Sequence, residues 1–204
     1  MEILQFTLTP FVTNCFVIKD SGESIVIDPG EATRELKDAL EGTRVKMIFN
    51  THCHIDHSGG NAGMVAHTSA PLVIHKDDLP LLQGLAQQGQ MFGVLVPPSP
   101  DPDQYVEEGD TITVGTVNMK VLHCPGHAPG HVVLVGDGFV IGGDVLFNGS
   151  IGRTDLPGGN HAQLIDSIKT KLLTLPDDTI VYSGHGPETT IGKERMTNPF
   201  LVGP

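Results

Sequence analysis

Three imidazoles and a carboxylate fall within six residues of this chain: His52, His54, Asp56 and His57. In an extended segment, positions i and i+2 project to the same side, so His52 and His54 can reach one ion where a strand ends. If the chain then bends into a helix, Asp56 and His57 can face a neighbouring ion. Burying four such groups without partners would be costly, and a divalent cation is the partner that suits them all. Imidazole and carboxylate are borderline and hard ligands, compatible with Zn²⁺, Fe or Mn²⁺. Cys53 lies between two candidate ligands and should point away from them in an extended segment.

No two residues complete a site, so further ligands have to come from elsewhere. Three later segments offer them: His123-Cys124-Pro125-Gly126-His127-Ala128-Pro129-Gly130-His131, Gly142-Gly143-Asp144 and Ser183-Gly184-His185-Gly186-Pro187. Neighbouring glycines allow sharp turns and close backbone approach. Taken singly, each is an ordinary loop histidine or turn aspartate. His67, His75 and His161 read as surface or helix residues.

These residues need elements to hold them. Asn14–Ile18 and Ser24–Ile27 read as a hairpin turning at Asp20-Ser21-Gly22. Residues 31–41 read as a helix with Ala32, Leu36, Ala39 and Leu40 on one face. Val45–Phe49 is a short buried strand running into the histidine cluster. A helix over 58–69, a strand at Leu72–Ile74 and a helix over Asp77–Leu85 follow. The Pro- and Asp-rich residues 93–104 form a surface loop. Both of its flanks carry site residues, so the reading is one domain over 1–204. Strands are expected at Thr111–Val114, Asn118–Leu122, Val132–Val135, Phe139–Ile141 and Thr179–Tyr182, with a helix over 161–173. Strand-rich then helical, twice over, predicts an α+β protein: two sheets sandwiched between outer helices, an αβ/βα four-layer arrangement.

Composition narrows the function. The chain has 204 residues, 39% hydrophobic and 18% charged, a globular balance. Its net charge of −12 counts against a nucleic-acid partner, because such affinity rests on Lys and Arg neutralising phosphates. No apolar run approaches the ~20 residues of a membrane span. Met1 to Gln5 has no basic region, so a cytoplasmic location is expected and no membrane partner. Three cysteines in such a chain read as reduced thiols.

In order, His-x-His-x-Asp-His, Pro-Gly-His, Gly-Asp and Gly-His resemble the metallo-β-lactamase superfamily over essentially the whole chain. The resemblance implies that fold and a binuclear site. His52, His54 and His127 would bind one metal, Asp56, His57 and His185 the second, and Asp144 would bridge. Asp28, in Ile27-Asp28-Pro29-Gly30, matches the family's supporting acid and would orient ligands, with His131 in a similar role. Two divalent ions are implied, Zn²⁺ first, with Fe or Mn²⁺ as alternatives.

Asp144 stands where two-metal zinc β-lactamases commonly carry Cys, which argues against antibiotic hydrolysis. The run His123–His131, the segment Gly152-Arg153-Thr154-Asp155, and Gly184-His185-Gly186-Pro187 with Thr197-Asn198-Pro199-Phe200 are similar to glyoxalase II. The match is to its short bacterial branch, the YcbL-type hydroxyacylglutathione hydrolases. The implied reaction is hydrolysis of S-D-lactoylglutathione, or a related thioester, by a metal-bridging hydroxide, with Asp56 and Asp144 in catalytic positions. Longer glyoxalase II enzymes carry a C-terminal helical domain that helps hold glutathione, and the expectation here is that none follows. Arg153 is then the candidate contact for a substrate carboxylate. The closest alternative is a mononuclear iron persulfide dioxygenase of the same fold. A nucleic-acid-processing hydrolase is disfavoured by charge, and a purely structural metal site by the open, two-ion ligand set. Oligomeric state is not legible.

Overall fold

The computed structural model describes residues 1–202. It forms two compact units, Met1–Val106 with Thr113–Val117, and Glu107–Ile112 with Asn118–Pro204.

The first unit is built on a six-stranded sheet in sequence order: β1 (Glu2–Leu8), β2 (Thr13–Asp20), β3 (Glu23–Ile27), β4 (Arg44–Phe49), β5 (Leu72–His75) and β6 (Gln104–Val106). β1 to β3 are antiparallel, and β3 to β6 pair in parallel. The β2–β3 hairpin lies where the turn residues place it, with Ser21 and Gly22 at positive φ. The parallel step from β3 to β4 needs a crossover, and α1 (Arg34–Asp38) supplies it. Thr33 caps α1 through its side chain, which shortens the helix expected over 31–41. Leu36 and Leu40 from this crossover join Val26, Ile48, Leu72 and Ile74 in one buried cluster.

Several elements differ from expectation. β1 was not foreseen: it is a half-exposed edge strand, so its apolar pattern is weak. The helix over 58–69 resolves into α2 (Ile55–Ser58) and α3 (Asn61–Thr68), broken at Gly59-Gly60. The helix over Asp77–Leu85 resolves into a 3₁₀ turn (Lys76–Asp78) and α4 (Leu79–Gln83), and α5 (Leu85–Phe92) follows it. Residues 93–103 are irregular, but Gln104–Val106 pair as β6 at the sheet edge.

The other six-stranded sheet draws most of its residues from the second unit. Its strands are β7 (Thr111–Val114), β8 (Val117–His123), β9 (Val132–Val135) and β10 (Phe139–Gly143), then β13 (Ile180–Ser183) and β14 (Thr189–Thr190). A small ribbon, β11 (Leu146–Phe147) and β12 (Ser150–Ile151), follows β10. β10 and β13 pair in parallel, joined through α6 (His161–Ser167) and a π-type turn (Ile168–Leu172). Asn160 caps α6 through its side chain. Leu164, Ile168 and Leu172, four apart, form one stripe in the second core cluster with Val133, Val140 and Val181. The last helix, α7 (Ile191–Thr197), is capped by Thr190. Among the described residues, no helix is long and apolar enough to cross a membrane.

In the first unit, Glu23 at the start of β3 receives Arg44 Nη2 at 2.6 Å, Lys46 Nζ at 3.1 Å and Gly115 N–H at 2.9 Å. The Arg44 hydrogen bond, then Gly115 and Lys46, hold its carboxyl at about 2, below its ordinary 4.5. A lowered pKa contributes stability that is complete above 4.5 and is lost as pH falls through about 2. The urea midpoint should therefore fall over that window, with a shallower decline in Glu23→Gln. Superimposable pH profiles for the two proteins would remove Glu23 from the acid response.

Candidate metal centre

In the first unit the site begins where β4 ends. β3 and β4 run in parallel with Ile27 opposite Phe49, so Asp28 and Asn50 leave the sheet side by side. Asp28 takes φ +55°, a left-handed conformation that aspartate tolerates better than most residues. Its Oδ1 accepts the Thr51 N–H at 2.7 Å, and its Oδ2 accepts the Thr51 hydroxyl at 2.6 Å. The same Oδ2 lies 3.0 Å from His57 Nδ1. A neutral His57 that donates from Nδ1 carries its lone pair on Nε2, the form a metal requires.

His54 is the extended residue before α2, at φ −70° and ψ 154°. This conformation sets His52 and His54 together, with ring centroids 4.8 Å apart, and the helical turn then brings the His57 ring to 4.1 Å from that of His52. His52, His54 and His57 are all buried. Asp56 Oδ2 accepts the Thr13 hydroxyl at 2.8 Å and lies 3.5 Å from His57 Nε2. Donor atoms of Asp28, His52 and His57 fall within 4.8 Å of one another. Cys53 is fully buried in the core cluster, and burial pushes its thiol well above the ordinary value.

The second unit repeats the arrangement. β10 and β13 are parallel with Gly143 opposite Ser183, so Asp144 and Gly184-His185 leave the sheet together. Asp144 Oδ2 lies 3.5 Å from His127 Nε2 and 3.4 Å from His185 Nε2. His127 Nδ1 faces the Arg153 carbonyl at 2.7 Å, so it donates there and leaves Nε2 as the ligating atom. His131 is fully buried, and its Nε2 accepts the Asp144 N–H at 2.9 Å. That nitrogen thus holds the Asp144 backbone.

A glycine abuts an acidic residue in each unit. A Cβ on Gly30 would stand 1.9 Å from the Asp56 carbonyl oxygen, and one on Gly152 would stand 1.9 Å from that of Asp144. Neither position tolerates a side chain without backbone movement.

Arg153 donates from Nε and Nη2 to the two carboxylate oxygens of Asp155, both at 2.7 Å. This pairing holds the Asp155 carboxyl at about 2. A substrate carboxylate would compete with Asp155 for the guanidinium. The contribution of Arg153 to His127, by contrast, is its main-chain carbonyl. His67 and His161 are exposed helical residues, as expected. His75 is not: it is buried at the end of β5, where its Nδ1 accepts the Asp77 N–H at 3.3 Å.

Sequence reasoning missed the supports of the histidine segment. Thr51 adjoins the motif, and its neighbour relation to His52 was the available signal. Thr13 has no such signal, being 43 residues from Asp56. Asp78 accepts the Cys53 N–H at 2.8 Å, and Gln88 spans the Ile55 N–H and the Cys53 carbonyl. These contacts exist only once β2, the 3₁₀ turn at Lys76–Asp78 and α5 have packed.

The candidate donors are five imidazoles and two carboxylates, with Nδ1 of His57 and His127 already engaged. Zn²⁺, Fe or Mn²⁺ fits this chemistry. A model of the metallo-beta-lactamase superfamily matches residues 8–185, which run through both units. This chain belongs to the metallo-β-lactamase superfamily. Its fold is that of the superfamily, mixed α/β with two multi-stranded sheets, and the superfamily is one of metal-dependent hydrolases. Within it, hydroxyacylglutathione hydrolase GloC of Haemophilus influenzae is 38% identical over 211 residues, covering 98% of each chain. The solved structure of BLEG-1 B3 metallo-β-lactamase has a TM-score of 0.91 at 37% identity, covering 99% of this chain and all of that one. The di-iron-bound form of TTHA1623 has a TM-score of 0.90 at 39% identity, covering 97% and 100%.

Asp28→Ala removes the acceptor of both Thr51 and His57. Metal affinity, measured by competition with a chromophoric chelator, should fall about 10–100-fold. Unchanged affinity in a folded variant would show that Asp28 does not orient the ligands. Gly152→Ala should cost about 1–3 kcal/mol in urea unfolding, because its Cβ meets main chain rather than a movable side chain. A cost near zero would show that the β12 segment shifts freely.

Proposed function

We propose that this chain hydrolyses a hydroxyacyl thioester, S-D-lactoylglutathione or a relative of it, at a binuclear metal centre formed by the two donor sets. His52, His54 and His127 would hold one ion, Asp56, His57 and His185 the other, with Asp144 between them. The observation that carries the reading is the position of one carboxylate oxygen, Asp144 Oδ2, within 3.5 Å of Nε2 on two different histidines. The kinship with GloC supports the substrate class. The two ions are Zn²⁺ in the first instance, with Fe or Mn²⁺ as alternatives; the relative TTHA1623 was solved with two irons.

Divalent ions in such a site supply hydroxide at neutral pH and polarise the scissile carbonyl. The protein's own residues do the rest. Thr13 fixes one oxygen of Asp56, which orients the carboxylate to take the proton of the attacking water. The His131 imidazole and the Gly152 approach hold the Asp144 main chain in place. A thiol pKa of about 8.5 lets the thiolate depart without a proton donor, whereas an amide nitrogen needs a placed acid. A cysteine nucleophile is disfavoured: burial pushes the Cys124 thiol up to about 12, and those of Cys15 and Cys53 well above their ordinary range. The partner is thus a small thioester. The −12 charge disfavours a polyanionic nucleic acid in its place.

The test is turnover of S-D-lactoylglutathione by protein stripped of metal and then reloaded with each ion. Activity should return with at least one ion, and His54→Ala and Asp144→Ala should each lower it by well over about a hundredfold. Full activity in metal-stripped Asp144→Ala would overturn the mechanism. Oxygen uptake with glutathione persulfide, or cleavage of a β-lactam, in place of thioester turnover would overturn the substrate class.

A further inference from the structure

Within the first unit, a cavity of about 490 Å³ opens beside Asp56. Its apolar wall is made by Phe11, Ile55, Val94 and Val96, and its only acidic side chains are Glu31 and Asp56. No lysine, arginine or histidine is among the described residues that line it. Phe11 is braced edge-on against Phe92 of α5, with ring centroids 5.5 Å apart. A Cβ on Gly59 would stand 3.1 Å from Val96 Cγ1, so the 94–97 segment lies close against the end of α2. Leu95, at the rim, is fully exposed.

The volume falls in the range of small-ligand pockets. A lactoyl group would leave most of it unfilled. The uncharged part of a thioester is its acyl group, and this part matches an apolar cavity that Asp56 helps to line. We propose that this cavity receives the acyl chain, and that the preferred substrates are thioesters whose apolar acyl groups are longer than lactoyl. This rests on the thioesterase reading above and makes the acyl chain, not the thiol carrier, the source of specificity.

A series of straight-chain N-acetylcysteamine thioesters, from acetyl to decanoyl, tests it with a neutral carrier held constant. Each methylene buried should raise kcat/KM about fourfold until the cavity is full, after which the gain stops. Leu95→Asp, at a fully exposed position, should flatten the rise. Calorimetry on metal-stripped protein with uncleavable S-alkyl thioethers of the same lengths gives a readout independent of turnover. Affinity should climb in the same steps, with a negative heat-capacity change. Cleavage of the series at a rate indifferent to chain length, or thioether affinity that does not change with length, overturns the acyl pocket and leaves the thioesterase reading standing. If no thioester is cleaved while thioether affinity still climbs, the thioesterase reading fails, and with it the acyl assignment of a real apolar pocket.

Discussion

Asp28 is a carboxylate buried to 1% exposure at the end of a strand, and the histidine segment is arranged around satisfying it. A buried charge without partners costs several kcal/mol, so its contacts are not optional. Thr51 answers it twice, through N–H and hydroxyl, and His57 answers it through Nδ1. The first pair of bonds fixes where the chain leaves β4. The third fixes the His57 tautomer and hence which nitrogen faces a ligand. One buried group therefore sets both the path of the main chain and the protonation of an imidazole 29 residues away.

The second unit reaches a similar end by different contacts. Its acid, Asp144, lies among the donor groups, and its supports are the His131 imidazole on its N–H and Gly152 against its carbonyl. In both units an acidic residue leaves one strand of a parallel pair where the histidine-bearing segment leaves the other. Parallel pairing puts the carboxyl ends of adjacent strands at the same edge, which is where residues from distant sequence can meet without a long loop. The crossovers through α1 and α6 make that pairing possible, so the apolar stripes of Leu36 with Leu40 and of Leu164, Ile168 and Leu172 belong to the chemistry as much as to stability.

Tight packing beside the acids limits what can change. At Gly30 and Gly152 an added methyl group would overlap main-chain oxygen, so the main chain at Asp56 and Asp144 is closely packed by backbone. The wall next to Asp56 is looser and apolar, with an exposed leucine at its rim.

The amino-acid sequence alone marked the candidate donors, three histidines and an aspartate in six residues, and the structure buries His52, His54 and His57 side by side. The sequence also determined most of the central strands, whose apolar runs are continuous, and the β2–β3 turn. It missed β1, whose half-exposed pattern is faint, and α5, which has only one apolar face in a Gln-rich segment. Only the tertiary structure decided that Thr13, Asp78 and Gln88 support the cluster, that His131 holds a main-chain N–H, that Arg153 serves His127 through its carbonyl while its guanidinium is engaged by Asp155, and that His75 is buried. Each of these is a contact between residues distant in sequence or an orientation set by packing. Spacing along a chain encodes which side chains share a face, but not which distant groups the fold brings within hydrogen-bond reach.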